Sequence, residues 1–303
     1  MCVSVQNQAE TVAIVRHLCY ADGSEDSVCV RNENTSKGDL MSAVDFAFFV
    51  DELASRSGSA ILPFFRTSLN TMDKAQGGVF DPVTEADKAS EAVMRQLITR
   101  TFPEHGIIGE EYGSEREDAE FVWVLDPIDG TRAFISGLPV WGTLIGLKRH
   151  GRPCYGMMHQ PFTRERFFGD GGMAKWRGPT GERVLKTRPC AQLADATLST
   201  TTPAMFSGAQ AETYRRIESQ VKLARYGTDC YAYCMVAAGH MDLVIETGLK
   251  PYDVVALVPI VEGAGGVITN WQGGSAAEGG SVVASGDPRL HEEVLRQLRD
   301  MGH

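Results

Sequence analysis

The sequence predicts a fold of the α/β or α+β class, and three features carry that prediction. Phe121-Val122-Trp123-Val124-Leu125 is a continuous apolar run of strand length that stops at Asp126. Val44, Phe48, Leu53, Ile61 and Phe65 recur near helical spacing, with Asp45, Asp51, Glu52 and Arg56 between them. Strand-like and helix-like stretches then alternate through both halves of the 303 residues. The length suits one large or two medium domains. Hydrophobic residues at 43% and charged residues at 22% are globular proportions, which exclude collagenous, wholly disordered and disulfide-scaffold chains. No apolar run approaches the ~18 residues of a membrane span.

Residues 1–40 are poorly periodic and rich in Gly, Ser, Asp, Asn and Glu after Ala21. They read as a disordered extension, with a helical turn at most over Val12 to Leu18. The first helix begins near Met41, and a loop then leads into a second helix within Asp81 to Arg100. Its stripe is Ala89, Val93, Leu97 and Ile98, and Pro103 and Gly106 end it. Short strands follow at Gly106 to Gly109, Phe121 to Leu125, Gly142 to Lys148 and Cys154 to His159. Gly169 to Gly181 reads as a Gly-rich turn region. Further on, strands are expected at Ala196 to Thr200, Asp242 to Glu246 and Gly265 to Thr269. Helices are expected at Ser207 to Val221, Ala232 to Gly239, Tyr252 to Gly263 and Leu290 to Met301. The division into halves falls near Lys186 to Asp195, giving segments 41–190 and 191–303.

The net charge is −10, and no basic run occurs. Phosphate backbones are held mainly by Lys and Arg, so no nucleic-acid partner is expected. A phosphate-bearing substrate would need positive charge from bound cations. The seven cysteines (Cys2, Cys19, Cys29, Cys154, Cys190, Cys230 and Cys234) are odd in number, irregularly spaced and without C-x-x-C. Reduced thiols in a cytoplasmic compartment fit that pattern. No secretory signal is read at the N-terminus.

The chemistry concentrates in Asp126-Pro127-Ile128-Asp129-Gly130-Thr131, directly after the apolar strand. Two carboxylates three residues apart across a Pro/Gly turn can converge on one point. Their hard oxygens suit Mg²⁺ or Mn²⁺ rather than zinc. A helix starting at Gly130-Thr131 would offer free N–H groups to phosphate oxygens. The plain alternative is an ordinary turn, since D-P and D-G are turn dipeptides. Three other acidic sites stand at element ends: Gly109-Glu110-Glu111, Asp81 to Asp87, and Tyr252-Asp253. Each has its own plain reading as exposed acid, helix cap or first-turn acid. Four together argue for a shared purpose.

These pieces resemble the inositol monophosphatase family of metal-dependent phosphatases. The matching motifs are D-P-V-T-E-A-D from Asp81 to Asp87, G-E-E from Gly109 to Glu111, W-V-L-D-P-I-D-G-T from Trp123 to Thr131, and Tyr252 to Gly266. They occur in the family's order and spacing. The likeness runs from about Met41 to the C-terminus. Ala133 to Thr143, Gln160-Pro161 with Glu165-Arg166-Phe167, Lys186 to Cys190 and Gly227 to Tyr233 look like the bacterial- and plant-type histidinol-phosphatase branch. His159 stands where many of these enzymes carry Asp, away from every metal position.

The resemblance implies a layered αβαβα sandwich and two or three Mg²⁺ per site. It assigns one cation to Glu110, Asp126 and the Ile128 carbonyl, and a second to Asp126, Asp129 and Asp253. A weaker third falls to Glu110 and Asp87. It implies a water nucleophile oriented and deprotonated by Thr131 and Glu110, with phosphate on the Gly130 and Thr131 N–H groups. Glu246 matches the position that meets the substrate's alcohol part, and Asp229 lies in the histidinol-branch segment. Both are substrate-binding candidates for an ammonium-bearing ester. Asp229 also reads as a helix N-cap, and Glu246 as an exposed strand-end acid. Arg188 reads as a surface ion pair or as a reach to a partner's site; Cys230 and Cys234 read as packed thiols. The resemblance further implies a small phosphorylated substrate, no membrane partner and a homodimer. Histidinol phosphate hydrolysis is the leading expectation. Inositol or sugar phosphates are the alternative, and a non-catalytic family member the remote one.

Overall fold

The computed structural model describes residues 43–67, 72–73, 82–83 and 85–299. The expectations for residues 1–40, Met41, Asp81, Thr84 and Met301 lie outside the described residues. Helix α1 (Ala43–Ile61) buries Phe46, Phe49, Val50, Leu53 and Ala54, one apolar face at helical spacing. Phe48, placed in that stripe from the sequence, is 69% exposed because it projects off this face. Phe65 is buried beyond the helix end, after a short 3₁₀ turn at Leu62–Phe64. Two short strands, β1 (Met72–Asp73) and β2 (Pro82–Val83), pair antiparallel. Helix α2 (Glu85–Thr101) buries Ala86, Ser90, Met94 and Ile98.

The larger sheet contains β3 (Gly106–Gly109), β4 (Gly113–Glu115), β5 (Phe121–Asp129), β6 (Gly142–Arg149), β7 (Arg152–Gln160), β8 (Glu165–Gly169), β9 (Ala174–Gly178) and β10 (Gly181–Val184). Its strand order is β10-β9-β8-β7-β6-β5-β3-β4, and only β3 and β5 run parallel. A short helix α3 (Thr131–Ile135) follows β5. The second sheet contains β11 (Thr197–Thr200), β12 (Leu223–Tyr226), β13 (Leu243–Leu249), β14 (Val267–Asn270) and β15 (Gly280–Ser285), in the order β12-β11-β13-β15-β14. Its helices are α4 (Gly208–Glu218), α5 (Asp229–Ala237), α6 (Pro251–Val254), α7 (Leu257–Gly263) and α8 (Pro288–Arg299).

Three apolar clusters stack these elements into five layers. Phe49, Leu53 and Met94 of α1 and α2 pack on Trp123, Ile145 and Met157 of the larger sheet. That sheet's other face offers Leu144, Met158 and Phe167 to α5 and α7, through Tyr233, Cys234, Leu257 and Ile260; Val244 and Ala284 of the second sheet close the same cluster. Beyond it, Leu198, Leu243 and Val283 meet Tyr214 and Ile217 of α4 and Leu290, Val294 and Leu298 of α8. The order is therefore helices, sheet, helices, sheet, helices. Among the described residues no helix is long and apolar enough to cross a membrane.

Several boundaries differ from the sequence reading. The Gly169 to Gly181 region contains strand β9 rather than turns alone. The helix expected from Ala232 begins at Asp229, with Thr228 as its N-cap, so Asp229 lies in the first turn and not at the cap. The helix expected over Tyr252 to Gly263 is two, α6 and α7. Asp129 ends β5 itself, because an irregularity between Asp126 and Asp129 lets the pairing with β6 resume.

Candidate active site

Elements from both sheets bring their ends to one open cleft of about 600 Å³. Asp126 and Asp129 sit on either side of the β5 irregularity, at Pro127 and Ile128. Proline has no N–H for the ladder, so the strand is free to distort there and re-aim both carboxylates. Asp253 comes from α6, whose first turn it closes by accepting the Lys250 N–H at 2.6 Å. Carboxylate oxygens of Asp126, Asp129 and Asp253 all lie within 4.8 Å of one another. Asp87 from α2 and Glu110 from the end of β3 line the same cleft, as do Ile128, Gly130, Thr131, Asp229 and Glu246. All the residues singled out from the sequence as site residues therefore meet in one place.

Glu110 depends on a neighbour that the sequence reading missed. Buried Glu91 pairs with Arg95 at 2.7 Å and accepts the N–H groups of Glu111 (2.7 Å) and Tyr112 (3.2 Å). It thereby fixes the turn on which Glu110 stands. Its helical position gave no hint of this, because an i,i+4 Glu–Arg pair usually marks a solvated helix face.

The electrostatics are those of a crowded acid cluster. Protein enclosure, followed by the Glu110, Asp129 and Asp253 charges, raises the Asp126 pKa well above the ordinary carboxylate range. Asp129 is raised likewise, by enclosure and by Asp229 and Asp253. Glu110 is exposed on its outer side, yet the cleft walls surround its carboxyl, and this enclosure with the Asp87 and Asp253 charges pushes it up to about 8. Asp253 is pushed up to about 6, mainly by burial. Buried Asp126 Oδ1 receives no hydrogen bond. Such a set of hard, crowded oxygens with an unsatisfied buried acceptor fits divalent cations such as Mg²⁺. At the adjoining turn, Gly130 has φ +85°, a left-handed conformation natural to glycine. A Cβ there would sit 3.3 Å from Asp229 Cβ and Cγ, so the Asp229 side chain lies directly over Gly130. The Thr131 hydroxyl donates to the Ile128 carbonyl at 3.1 Å.

A second acidic group flanks the first. Glu246 is buried, not exposed as its plain reading allowed. Its Oε1 accepts from Thr201 N–H (2.9 Å) and Oγ1 (2.6 Å), and its Oε2 from the Tyr233 hydroxyl (2.8 Å). Thr201 Oγ1 also lies 3.1 Å from Asp229 Oδ1. Thr201 was missed because it falls one residue past a strand, a position with no marker of its own. Of the other residues weighed, Arg188 forms a bidentate pair with Asp242. Cys230 and Cys234 are buried free thiols, and the Cys230 N–H donates to Asp129 Oδ2 at 2.7 Å. His159 is buried against Gly58, with Nδ1 3.1 Å from the Glu165 carbonyl.

Comparison with known proteins agrees with this geometry. Residues 43–303 match the inositol monophosphatase family. The chain is 42% identical over 280 residues to the chloroplastic bifunctional phosphatase IMPL2 of Arabidopsis thaliana, covering 89% of this chain and 79% of the relative. It is 34% identical to the histidinol-phosphatase of Mycobacterium tuberculosis, over 72% of this chain and 84% of that protein. An inositol monophosphatase from Zymomonas mobilis superposes with a TM-score of 0.76 at 41% identity, over 86% of this chain and 100% of that one. The chain belongs to the inositol monophosphatase family of metal-dependent phosphatases.

Proposed function

We propose that this phosphatase is a Mg²⁺-dependent histidinol-phosphatase, hydrolysing L-histidinol phosphate to L-histidinol and phosphate. The observation that carries the reading is Asp229, an acid beside the metal-type cluster and open to the same cleft. Thr201 Oγ1 has one proton to give, and its 2.6 Å contact with Glu246 competes with the 3.1 Å contact with Asp229. Asp229 is thus left short of hydrogen-bond donors, with Arg132 as the cation that acts on it across the cleft, and its remaining acceptor capacity suits a substrate ammonium. Relatives that are histidinol-phosphatases support the same reading.

In this mechanism Glu110, Asp126, the Ile128 carbonyl, Asp129 and Asp253 would hold the cations, with Asp87 and Glu110 at a weaker third position. Bound cations supply the positive charge that draws a phosphate ester into an acidic cleft, acidify water and neutralise charge on the transferring phosphoryl group. Gly130 and Thr131 N–H groups bind the phosphate. Thr131, held by the Ile128 carbonyl, and Glu110 orient the attacking water, and Glu110 takes its proton. The water oxygen joins phosphorus, the ester P–O bond breaks, and the departing oxygen takes a proton from a solvent water to leave as the alcohol. Glu246 fixes Thr201 and so shapes the alcohol side of the cleft.

The alternative, an inositol monophosphatase, is favoured by the Zymomonas mobilis neighbour. Phosphate release with Mg²⁺ across L-histidinol phosphate, myo-inositol 1-phosphate and a simple sugar phosphate separates the two. The proposal expects the highest kcat/KM on L-histidinol phosphate; a clear preference for the inositol ester rejects it. A cytoplasmic homodimer belongs to the same reading, and sedimentation velocity tests the dimer.

A further inference from the structure

One half-buried contact between β8 and α5 is unused by the mechanism above and ends next to its specificity acid. Glu165, at the start of β8, accepts from Tyr231 Oη (2.5 Å) and Thr163 Oγ1 (2.8 Å) on Oε2, and from Trp176 Nε1 (2.9 Å) on Oε1. Three donors from three segments converge on one carboxylate. Tyr231 also packs edge-on against Phe167 of β8, with ring centroids 5.8 Å apart. The larger sheet therefore grips Tyr231 by both ring and hydroxyl.

Tyr231 lies two residues after Asp229, in the first turn of α5. That turn holds one residue in a left-handed conformation. Asp229 has φ +41°, a conformation that Asp adopts more readily than most non-glycine residues but still at some cost in free energy. Thr201 is a weak tether, since its one proton is contested by Glu246. The contacts that hold the turn include the Cys230 N–H on Asp129 at 2.7 Å, Thr228 Oγ1 against Ser199 Oγ at 2.8 Å, the buried Cys230 side chain, and Tyr231 on Glu165, the one that reaches the larger sheet at β8.

We infer that Tyr231 and Glu165 are positioning residues that hold the first turn of α5 against the larger sheet, keeping Asp229 in its left-handed conformation over Gly130 and thereby setting selectivity for ammonium-bearing phosphate esters. The inference rests on the reading of Asp229 given above. Removing the tether lets Asp229 relax toward ordinary backbone angles and swings its carboxylate away from the phosphate position. Discrimination falls, mostly through KM, because the interaction lost is with a part of the substrate remote from the reacting bond.

The test compares full-length wild type, Y231F, E165A, D229N and Y231F/D229N. Each is assayed with Mg²⁺ on L-histidinol phosphate and on p-nitrophenyl phosphate, which has no ammonium. Y231F removes one oxygen and keeps the ring packing; E165A removes the acceptor and keeps Tyr231, so the pair guards against one variant failing to fold. Each single variant is expected to lower the ratio of the two kcat/KM values by roughly tenfold, within the range of one charge-assisted hydrogen bond. In the D229N background, Y231F is expected to change the ratio no further, a non-additivity that general loosening would not give. A wild type without preference for the ammonium ester, or a D229N variant that keeps it, overturns both the function above and this inference. A D229N-sensitive preference that Y231F and E165A leave intact overturns this inference alone, as does an equal loss on both substrates.

Discussion

Asp126 carries two opposed demands. Its backbone belongs to a buried apolar strand, yet its carboxyl faces Glu110, Asp129 and Asp253 with Oδ1 unsatisfied. Folding alone would not choose this arrangement, since burying a carboxyl among like charges lowers stability. Asp126→Asn keeps the shape and removes one of the crowded charges. Phosphatase activity is expected to fall by roughly 10³-fold or more, beyond the ~10–100-fold typical of outer-shell partners. The metal-free protein at alkaline pH should meanwhile melt at a higher temperature than wild type, as expected where function is kept at the expense of stability. Activity assays and calorimetry of the same preparation check the pair of outcomes; a variant both inactive and destabilised would show that Asp126 serves the fold.

Asp253 depends on how closely its helix approaches the larger sheet. Gly156 of β7 permits that approach: a Cβ there would lie 1.9 Å from the Ala256 carbonyl oxygen, between α6 and α7. Gly156→Ala is expected to destabilise the protein by about 2 kcal/mol or more through overpacking. It should also weaken Mg²⁺ binding, because the displaced backbone carries Asp253 three residues earlier. Thermal melts with and without Mg²⁺ read both effects; a loss of stability with unchanged Mg²⁺ affinity would separate the helix seat from the site. At this scale the sequence was legible at some elements of continuous burial but not at others, since the buried strand Gly280–Ser285 was missed between Gly-rich flanks. The apolar run ending at Asp126 located β5, and Leu290 to Leu298 located α8. It was opaque where strands are short and mixed. Ala174–Gly178 carries Lys and Arg between its packed residues, and Leu223–Tyr226 is largely exposed, so neither shows a period. The acids of the site were legible because chemistry restricts them to few residue types. Glu91, Thr201 and Tyr231 were not, since each acts through a partner distant in sequence.

For the whole molecule, the acid cluster links stability to both pH and metal. Glu110 and Asp253 hold protons more tightly when folded, with pKa values up from 4.5 to about 8 and from 3.8 to about 6. Between the unfolded and folded values the native state binds more protons than the unfolded chain, so this contribution to stability is present at low pH and lost as pH rises through about 6 and then about 8. Cations need the ionised carboxylates, so their binding strengthens over the same window and stabilises only the folded state. The rise in Tm on adding saturating Mg²⁺ should therefore widen from acid to alkaline pH; a rise independent of pH would contradict the linkage.

The proposed mechanism places the positive charge that an anionic chain needs for phosphate esters where its strand and helix ends converge. Anomalous diffraction from crystals soaked in Mn²⁺ tests that directly. A manganese peak coordinated by Asp126, Asp129 and Asp253 is expected. A map with no peak among these carboxylates, or with manganese only at other surfaces, would contradict it.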